Sequence, residues 1–83
     1  MKKSIKDFTD RNGVFLVDDF RKSVREDISK ANRNNLRLFI WTGNKTLVTI
    51  GRIRSDDKWV TWDTSRSSTQ NVAWEAIEQW WIG

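Results

Sequence analysis

The sequence predicts a single α+β domain: an amphipathic helix, a three-stranded antiparallel β-meander, and a C-terminal helix packed on one face of the sheet. Three observations predict this fold. Apolar residues recur with helical spacing between residues 17 and 31, they alternate with polar ones between 36 and 64, and a second helical stripe follows residue 69. The 83 residues contain no linker or repeat, so we expect one domain over 1–83, with 1–13 as an N-terminal arm or short helix.

The first helix is predicted from Asp18 to about Ala31. Plotted at about 100° per residue, its apolar side chains share an arc of about 80°; they are Val17, Phe20, Val24, Ile28 and Ala31. Asp18 is the predicted N-cap, and the asparagines that follow Ala31 are expected to end the helix.

The meander is predicted from three segments that read "LRLFIWT", "KTLVTIGRIR" and "KWVTWDT". Gly43 and Asn44 fit the central positions of a two-residue type II′ turn between the first two segments. Asp56 and Asp57 are placed in the second turn. Because Asp-Asp is a weaker signal for a two-residue turn, a shift of register there stays open.

The last helix is predicted from about Gln70 to Ile82, with Thr69 as its N-cap. Its apolar stripe contains Val72, Ala73, Ala76, Ile77 and Trp80. Trp74 and Trp81 lie at one border of the stripe and widen it to about 200°, more than an ordinary surface helix needs. Either the first helix or a partner protein is expected to cover these two tryptophans.

Strict alternation along the meander assigns its side chains to two faces. The aliphatic face, the expected floor for both helices, carries Leu36, Leu38, Ile40, Leu47, Thr49, Gly51, Ile53, Val60 and Trp62. The second face carries Arg37, Phe39, Trp41, Thr46, Val48, Ile50, Arg52, Arg54, Trp59, Thr61 and Asp63. Residues 5–17 or one helix could cover the second face; otherwise a surface of aromatic and arginine side chains faces water. Trp62 and Trp80 are expected in the core.

The second face predicts nucleic-acid binding as the leading function. Arginine offers bidentate contacts to phosphate and guanine, and aromatic rings stack on bases. The predicted binding residues are Arg37, Phe39, Trp41, Arg52, Arg54 and Trp59 on the sheet, with Lys30 and Arg33 as additional phosphate contacts. Arg54 is expected opposite Trp59, where a cation–π contact can form. The net charge of +4 agrees with an anionic partner.

This layout resembles the sheet-type DNA-binding domains of phage integrases and plant ethylene-response factors, with "TWDT" at Thr61–Thr64 as the local match. The resemblance implies that the Arg/Trp face of the sheet lies in the major groove. The chain departs from that layout by having a helix before the sheet. The element order is also similar to that of double-stranded RNA-binding domains, but "TSRSSTQNVAW" lacks their Gly-rich loop and lysine run.

A small protein-binding inhibitor or adaptor is the alternative function. Short, tryptophan-rich chains without a catalytic set are typical of phage-encoded proteins that block a host or defence complex that handles nucleic acid. Trp and Arg are also the residues that protein interfaces favour. On this hypothesis Trp74 and Trp81 are the interface residues, and the partner is an acidic or nucleic-acid-handling protein.

Catalysis is not expected. The sequence contains no His, Cys or Tyr, which removes the usual general bases, thiol nucleophiles and zinc ligands. The acids at Asp10 and at Asp18-Asp19 fit solvated turns and helix starts. We therefore expect no enzyme activity, metal, cofactor or small-molecule substrate. The longest apolar runs are four residues, so neither a membrane span nor a signal peptide is expected, and cytoplasmic is the default location. The oligomeric state stays open.

Overall fold

The computed structural model describes residues 2–83, and the chain is α+β, with one helix and two antiparallel sheets. The helix is α1 (Val17–Asn34), and the strands are β1 (Lys3–Ser4), β2 (Leu38–Trp41), β3 (Thr46–Val48), β4 (Ile53–Ser55), β5 (Trp59–Asp63), β6 (Thr69–Ala73) and β7 (Gln79–Ile82). Short 3-10 turns occupy Ile5–Phe8 and Trp74–Ala76. One sheet has the order β1-β7-β2-β3 and the other the order β4-β5-β6.

Helix α1 confirms the first predicted helix and packs through the predicted stripe. Phe20, Val24, Ile28 and Ala31 are all buried. Its start differs from the prediction, because the N–H of Phe20 already donates to the carbonyl of Leu16 at 3.0 Å. Leu16 is therefore the N-cap and Asp18 lies in the first turn, where its charge suits the helix dipole. The helix continues past its predicted end at Ala31 to Asn34, and its C-cap is Asn35, which adopts the left-handed conformation (φ 52°).

The first hairpin has the predicted turn, but the second predicted strand divides into β3 and β4. Ile40 pairs with Leu47 as expected, and Gly43 has the positive φ (92°) that the turn requires. The ladder stops at Thr49, whose hydroxyl accepts the Leu38 N–H at 2.9 Å. In a regular ladder the backbone carbonyl of Thr49 would accept this N–H instead. The chain then bends through residues 49–52 and enters the other sheet.

Gly51 allows that bend because the chain there lies directly against the backbone of β5. Its N–H donates to the carbonyl of Asp63 at 3.1 Å. A Cβ at position 51 would lie only 2.8 Å from the same carbonyl oxygen, too close for any other residue without a shift. Glycine is therefore a requirement of the bend, and the bend lets one stretch of chain serve both sheets.

The second hairpin is shifted by two residues from the predicted register. Arg54 pairs with Thr61, and the predicted pair of Arg54 with Trp59 does not form. The shift arises in the turn, whose central residues are 57 and 58, one position later than predicted. Asp56 causes it, because its Oδ1 accepts the N–H groups of both Lys58 and Trp59 at 2.8 Å. A shift of two leaves every side chain on its predicted face.

These two hydrogen bonds hold the pKa of Asp56 below its ordinary value near 3.8. A carboxylate whose pKa is lower in the folded state contributes stability above its unfolded pKa, and that contribution is lost as the pH falls through the folded pKa. We expect Asp56→Ala to lower the melting temperature at neutral pH. The difference from the unchanged protein should shrink as the pH falls through this lowered pKa, because the native carboxyl then protonates.

Asp56→Asn is the matched control, because its amide oxygen still accepts both backbone N–H groups without titrating. Thermal melts of the three proteins between about pH 7 and pH 2.5 check the expectation. An alanine variant with unchanged stability at neutral pH would show that the turn does not depend on this side chain.

The predicted C-terminal helix from Gln70 to Ile82 is wrong. The segment forms β6, a 3-10 turn and β7, so Thr69 begins a strand and is not an N-cap. The helical stripe was misleading because one apolar set serves two strands and a turn: Val72, Trp74, Ile77 and Trp80 are all buried. Trp, Ile and Val also favour strands, and β7 supplies the second hydrogen-bonding partner that β2 would otherwise lack.

Residues 5–17 close one end of the core and do not cover the second face. Phe8 stacks on Trp80 with ring centroids 5.9 Å apart and meets Phe20 edge-on at 6.2 Å. The chain turns back at 10–13, where Asp10 accepts the N–H groups of Asn12 and Val14. Asp10 is thus an ordinary turn residue. Within residues 2–83 the structure contains no helix that is both long and apolar enough to cross a membrane.

Candidate nucleic-acid interface

The outer face of the four-stranded sheet carries three aromatic side chains that the core does not include. We call it the aromatic face; it consists of Ser4, Arg37, Phe39, Trp41, Thr46, Val48, Gln79 and Trp81. Its aromatic residues are half-buried, and next to it Ile50 is 64% exposed. Helix α1 packs on the opposite face, through the buried residues Leu38 and Ile40. The aromatic face is therefore open to a partner.

Phe39 and Trp81 form a parallel stack across β2 and β7. Their ring centroids are 5.6 Å apart and their planes differ by 3°. The ammonium of Lys2 lies 4.4 Å from the Trp81 ring centroid, a cation–π contact. Trp81 is thus covered on both sides, and the stack presents its ring edges outward.

Trp41 is the aromatic residue of this face that has no such partner. It pairs with Gln79 on β7 and Thr46 on β3, and it makes no ring–ring or cation–ring contact among residues 2–83. It is also half-buried, so part of its side chain remains accessible to solvent. Trp41 is therefore the side chain of this face best placed to stack on a flat ligand.

Four cations gather where α1 ends and the chain bends between β3 and β4. Lys30, Arg33 and Arg52 line one groove, and Arg37 and Arg52 line the adjoining one. We call these four residues the basic cluster. Three separate segments supply them: the last turns of α1, the start of β2, and the 49–52 bend. Arg37 also belongs to the aromatic face, so the two surfaces are continuous.

Asn32 holds the basic cluster together. Its Nδ2 donates to the carbonyl of Ile53 at 2.8 Å, and its Oδ1 accepts the Ile53 N–H at 3.0 Å. This pair of bonds ties α1 to the start of β4, immediately beside Arg33 and Arg52. From the sequence, Asn32 is expected only to help end the helix, and no local pattern indicates that it positions β4 against α1.

The four side chains of the basic cluster form no ion pair among residues 2–83. Neither of the two ion pairs found in residues 2–83 includes one of its members. Two acids line the first groove, Glu26 and Asp27, but Asp27 is engaged by Lys3 at 3.1 Å and by the Trp80 indole N–H at 2.9 Å. No residue of the aromatic face is acidic. The continuous surface is accordingly cationic and favours an anionic partner.

Two of the predicted binding residues lie elsewhere. Arg54 pairs with Asp63 at 2.9 Å on the outer face of the three-stranded sheet. Because Asp63 is engaged by Arg54, it does not neutralise Arg52 of the basic cluster. Trp59 is 41% exposed and lines a groove beside β6. Both side chains are on their predicted face, but the division of the meander into two sheets separates them from Phe39 and Trp41.

Trp74 is a core residue and is not available to a partner. It is only 2% exposed, and its indole N–H donates to the carbonyl of Asp56 at 2.8 Å. The guanidinium carbons of Arg21 and Arg25 lie 5.0 and 5.3 Å from its ring centroid. The predicted protein-interface pair is thus divided: Trp74 is sealed between α1 and a turn, while Trp81 joins the aromatic face.

No family model matches the chain, and no curated protein or solved structure is significantly similar to it. Within residues 2–83 no three His, Cys, Asp or Glu side chains form a group that could hold a metal ion. The function of the aromatic face and the basic cluster therefore follows from their own chemistry.

Proposed function

We propose that this protein binds single-stranded nucleic acid, with phosphates at the basic cluster and bases against the aromatic face. The observation that carries the proposal is the convergence of Lys30, Arg33, Arg37 and Arg52, none of them ion-paired, beside a face that contains no acid. A polyanion with flat, apolar side groups complements both surfaces at once.

The contacts to phosphate supply most of the expected affinity. Lys30, Arg33, Arg37 and Arg52 are exposed, so each can reach a phosphate oxygen without leaving a buried partner behind. Every neutralised phosphate releases counterions, which makes the affinity fall as salt rises. Because the cluster curves around the end of α1, it suits a flexible strand that can follow the surface.

The aromatic face favours an unpaired strand over a duplex. Base edges in a major groove are read most often by arginine or lysine, and Arg37 is the one cation of the aromatic face. Arg52 lies in the bend and Arg54 on the other sheet. Trp41, in contrast, can stack on one unpaired base, a contact worth about 1–3 kcal/mol in single-strand binders.

Fluorescence anisotropy with labelled oligonucleotides tests the proposal. We expect single-stranded DNA or RNA of about 20 nucleotides to bind more tightly than the matched duplex at about 50 mM salt. Four phosphate contacts predict a loss of about 50-fold in single-strand affinity between about 50 and 200 mM salt. Trp41→Ala should weaken binding at least about fivefold, since one stacking contact is lost.

Trp59→Ala is the matched control, because Trp59 is exposed but lies away from the aromatic face, and its loss should leave the affinity unchanged. Binding that is insensitive to salt, or equal weakening by the two tryptophan variants, would contradict the proposed interface.

A protein partner at the aromatic face is the second candidate, and the Phe39–Trp81 stack favours it. The rings show their edges outward beside Val48 and the exposed Ile50, which makes an apolar ridge on which bases cannot lie flat. Aromatic side chains with arginine nearby are common in protein interfaces. If no oligonucleotide binds at low salt, an inhibitor or adaptor acting on an acidic or nucleic-acid-handling protein becomes the better explanation of this surface.

A further inference from the structure

A groove of about 480 Å³ lies on a different part of the molecule, between strand β6 and the segment 42–47. All five residues of β6 line one side, and the turn after β2 with Leu47 lines the other. Trp62, Val72 and Ala76 also contribute to its walls, and Trp59 lies at the β6 side. The groove is separate from the basic cluster and shares none of its residues.

β6 presents an unpaired hydrogen-bonding edge to this groove. The N–H of Thr64 donates to the carbonyl of Ser68, and the N–H of Trp74 donates to the carbonyl of Lys58. Because hydrogen-bonded and non-bonded residue pairs alternate along an antiparallel ladder, these two bonds determine which residues of β6 are bonded to β5. The bonded positions of β6 are therefore 70 and 72. The N–H and C=O groups of Thr69, Asn71 and Ala73 point away from β5, where residues 2–83 supply no strand.

The free edge of β6 has none of the features that usually protect an edge strand. Its sequence, "TQNVA", contains no charge and no proline, and its first three residues are exposed. Edge strands of monomers are commonly blunted by lysine, proline, a bulge or a covering segment. An uncharged, regular edge of five residues is therefore suited to pairing with another strand.

The hydrogen bonding of Trp62, in the wall of the groove, is incomplete. Its side chain is fully buried, and its indole N–H has no acceptor among residues 2–83. Buried indole N–H groups normally find a partner. Trp74 and Trp80 follow that rule, since their N–H groups donate to Asp56 and Asp27.

The charge of the groove indicates the chemistry of its occupant. Lys45 is its one charged lining residue, and no acid lines it. A carboxylate on the occupant would complement Lys45, and small apolar side chains would fit against Leu47 and Val72.

We propose that this groove binds an extended, acidic peptide segment of a partner protein, which adds to the β6 edge as a further strand. Main-chain hydrogen bonds to Thr69, Asn71 and Ala73 provide the pairing, and alternate side chains enter the groove. One carboxylate of the peptide meets Lys45. This activity is additional to nucleic-acid binding and uses other residues.

A synthetic heptapeptide, acetyl-Thr-Val-Glu-Val-Glu-Val-Thr-amide, is the probe, and amide hydrogen exchange measured by NMR is the readout. At a concentration that occupies about four fifths of the protein, exchange at Asn71 and Ala73 should slow about fivefold, since only the free fraction exchanges. The indole N–H signal of Trp62 should shift. The same peptide with lysine in place of glutamate should bind more weakly, and Lys45→Glu should reverse that preference.

Asn71→Pro removes the central outward N–H, which an edge strand tolerates, and should abolish the effect. Ser55→Pro is the matched control, because its N–H also points away from β5 but lies on the opposite edge of the same sheet, away from the groove. Oligonucleotide affinity should be the same in both variants, so this test is independent of the proposed function. Unchanged exchange at Asn71 and Ala73 with peptide would overturn the proposal. Slowing that depends on protein concentration without peptide would also overturn it, by showing that a second copy occupies the edge.

Discussion

Replacing Trp80 with alanine is expected to lower the free energy of unfolding by about 3–5 kcal/mol, the cost typical of a buried Trp→Ala cavity. Trp80 is fully buried, with Phe8 stacked on one side and Phe20 packed edge-on at 5.4 Å. Its indole N–H also donates to Asp27, which would lose that partner. The total free energy of unfolding of a native protein is about 5–15 kcal/mol, so the variant loses a large fraction of it and should be close to unfolding.

Trp81→Ala is the matched control, since the same residue type is removed one position along the same strand. Trp81 is half-buried and stacks only on Phe39, so we expect a loss of about 1–2 kcal/mol. Urea denaturation of the three proteins measures both values. Equal losses would mean that the two faces of β7 do not differ in burial as the structure shows.

Changing Arg33, Arg37 and Arg52 together to alanine is expected to have the largest effect on nucleic-acid binding. The log–log dependence of affinity on salt should flatten by about two units, because each lost phosphate contact contributes about 0.7 for a single strand. All three side chains are exposed and unpaired, so the fold should be unaffected. Anisotropy titrations at several salt concentrations give the slope.

The matched control changes Lys6, Arg11 and Lys22 to alanine, which removes the same net charge outside the basic cluster. If that variant flattens the slope as much, attraction arises from overall charge and the cluster has no special role. Circular dichroism of both triple variants would separate lost contacts from lost structure.

Local patterns in the sequence predicted the helix and the two faces of the meander. The spacing of Phe20, Val24 and Ile28 is specific to a helix with one buried side. Alternation correctly predicted that Leu38 and Trp62 are buried. For Trp62 the prediction holds in spite of the wrong register, because the turn at Asp56 shifts the pairing by two residues and so keeps each side chain on its face.

The C-terminal segment could not be predicted in the same way, because long-range pairing decides its structure. Val72, Ile77 and Trp80, with Trp74 at the border, fit a helical stripe as well as they fit two strands around a turn. The decisive interaction is β7 with β2, about forty residues earlier in the chain. A local window cannot detect such a partner, and tertiary context often overrides propensity for short apolar segments.

Only part of the candidate site follows from the sequence. Arg37, Phe39 and Trp41 alternate along one strand, so their shared face was predictable. Arg33 and Arg52 lie beside the same groove because of the Asn32–Ile53 hydrogen bonds and the bend at Gly51. The sequence contains no local signal for either of these features. The place of Trp81 beside Phe39 depends on β7 being a strand.

The pairing of β7 with β2 also bears on how the chain reaches its folded state. The β4-β5-β6 sheet is assembled from neighbours in sequence, so its loops are short and close quickly. Joining β7 to β2 closes a far longer loop, at a greater entropic cost. We therefore expect β7 to join β2 late in folding, and the Phe39–Trp81 stack, which needs that pairing, would make the indole of Trp81 a reporter of this step.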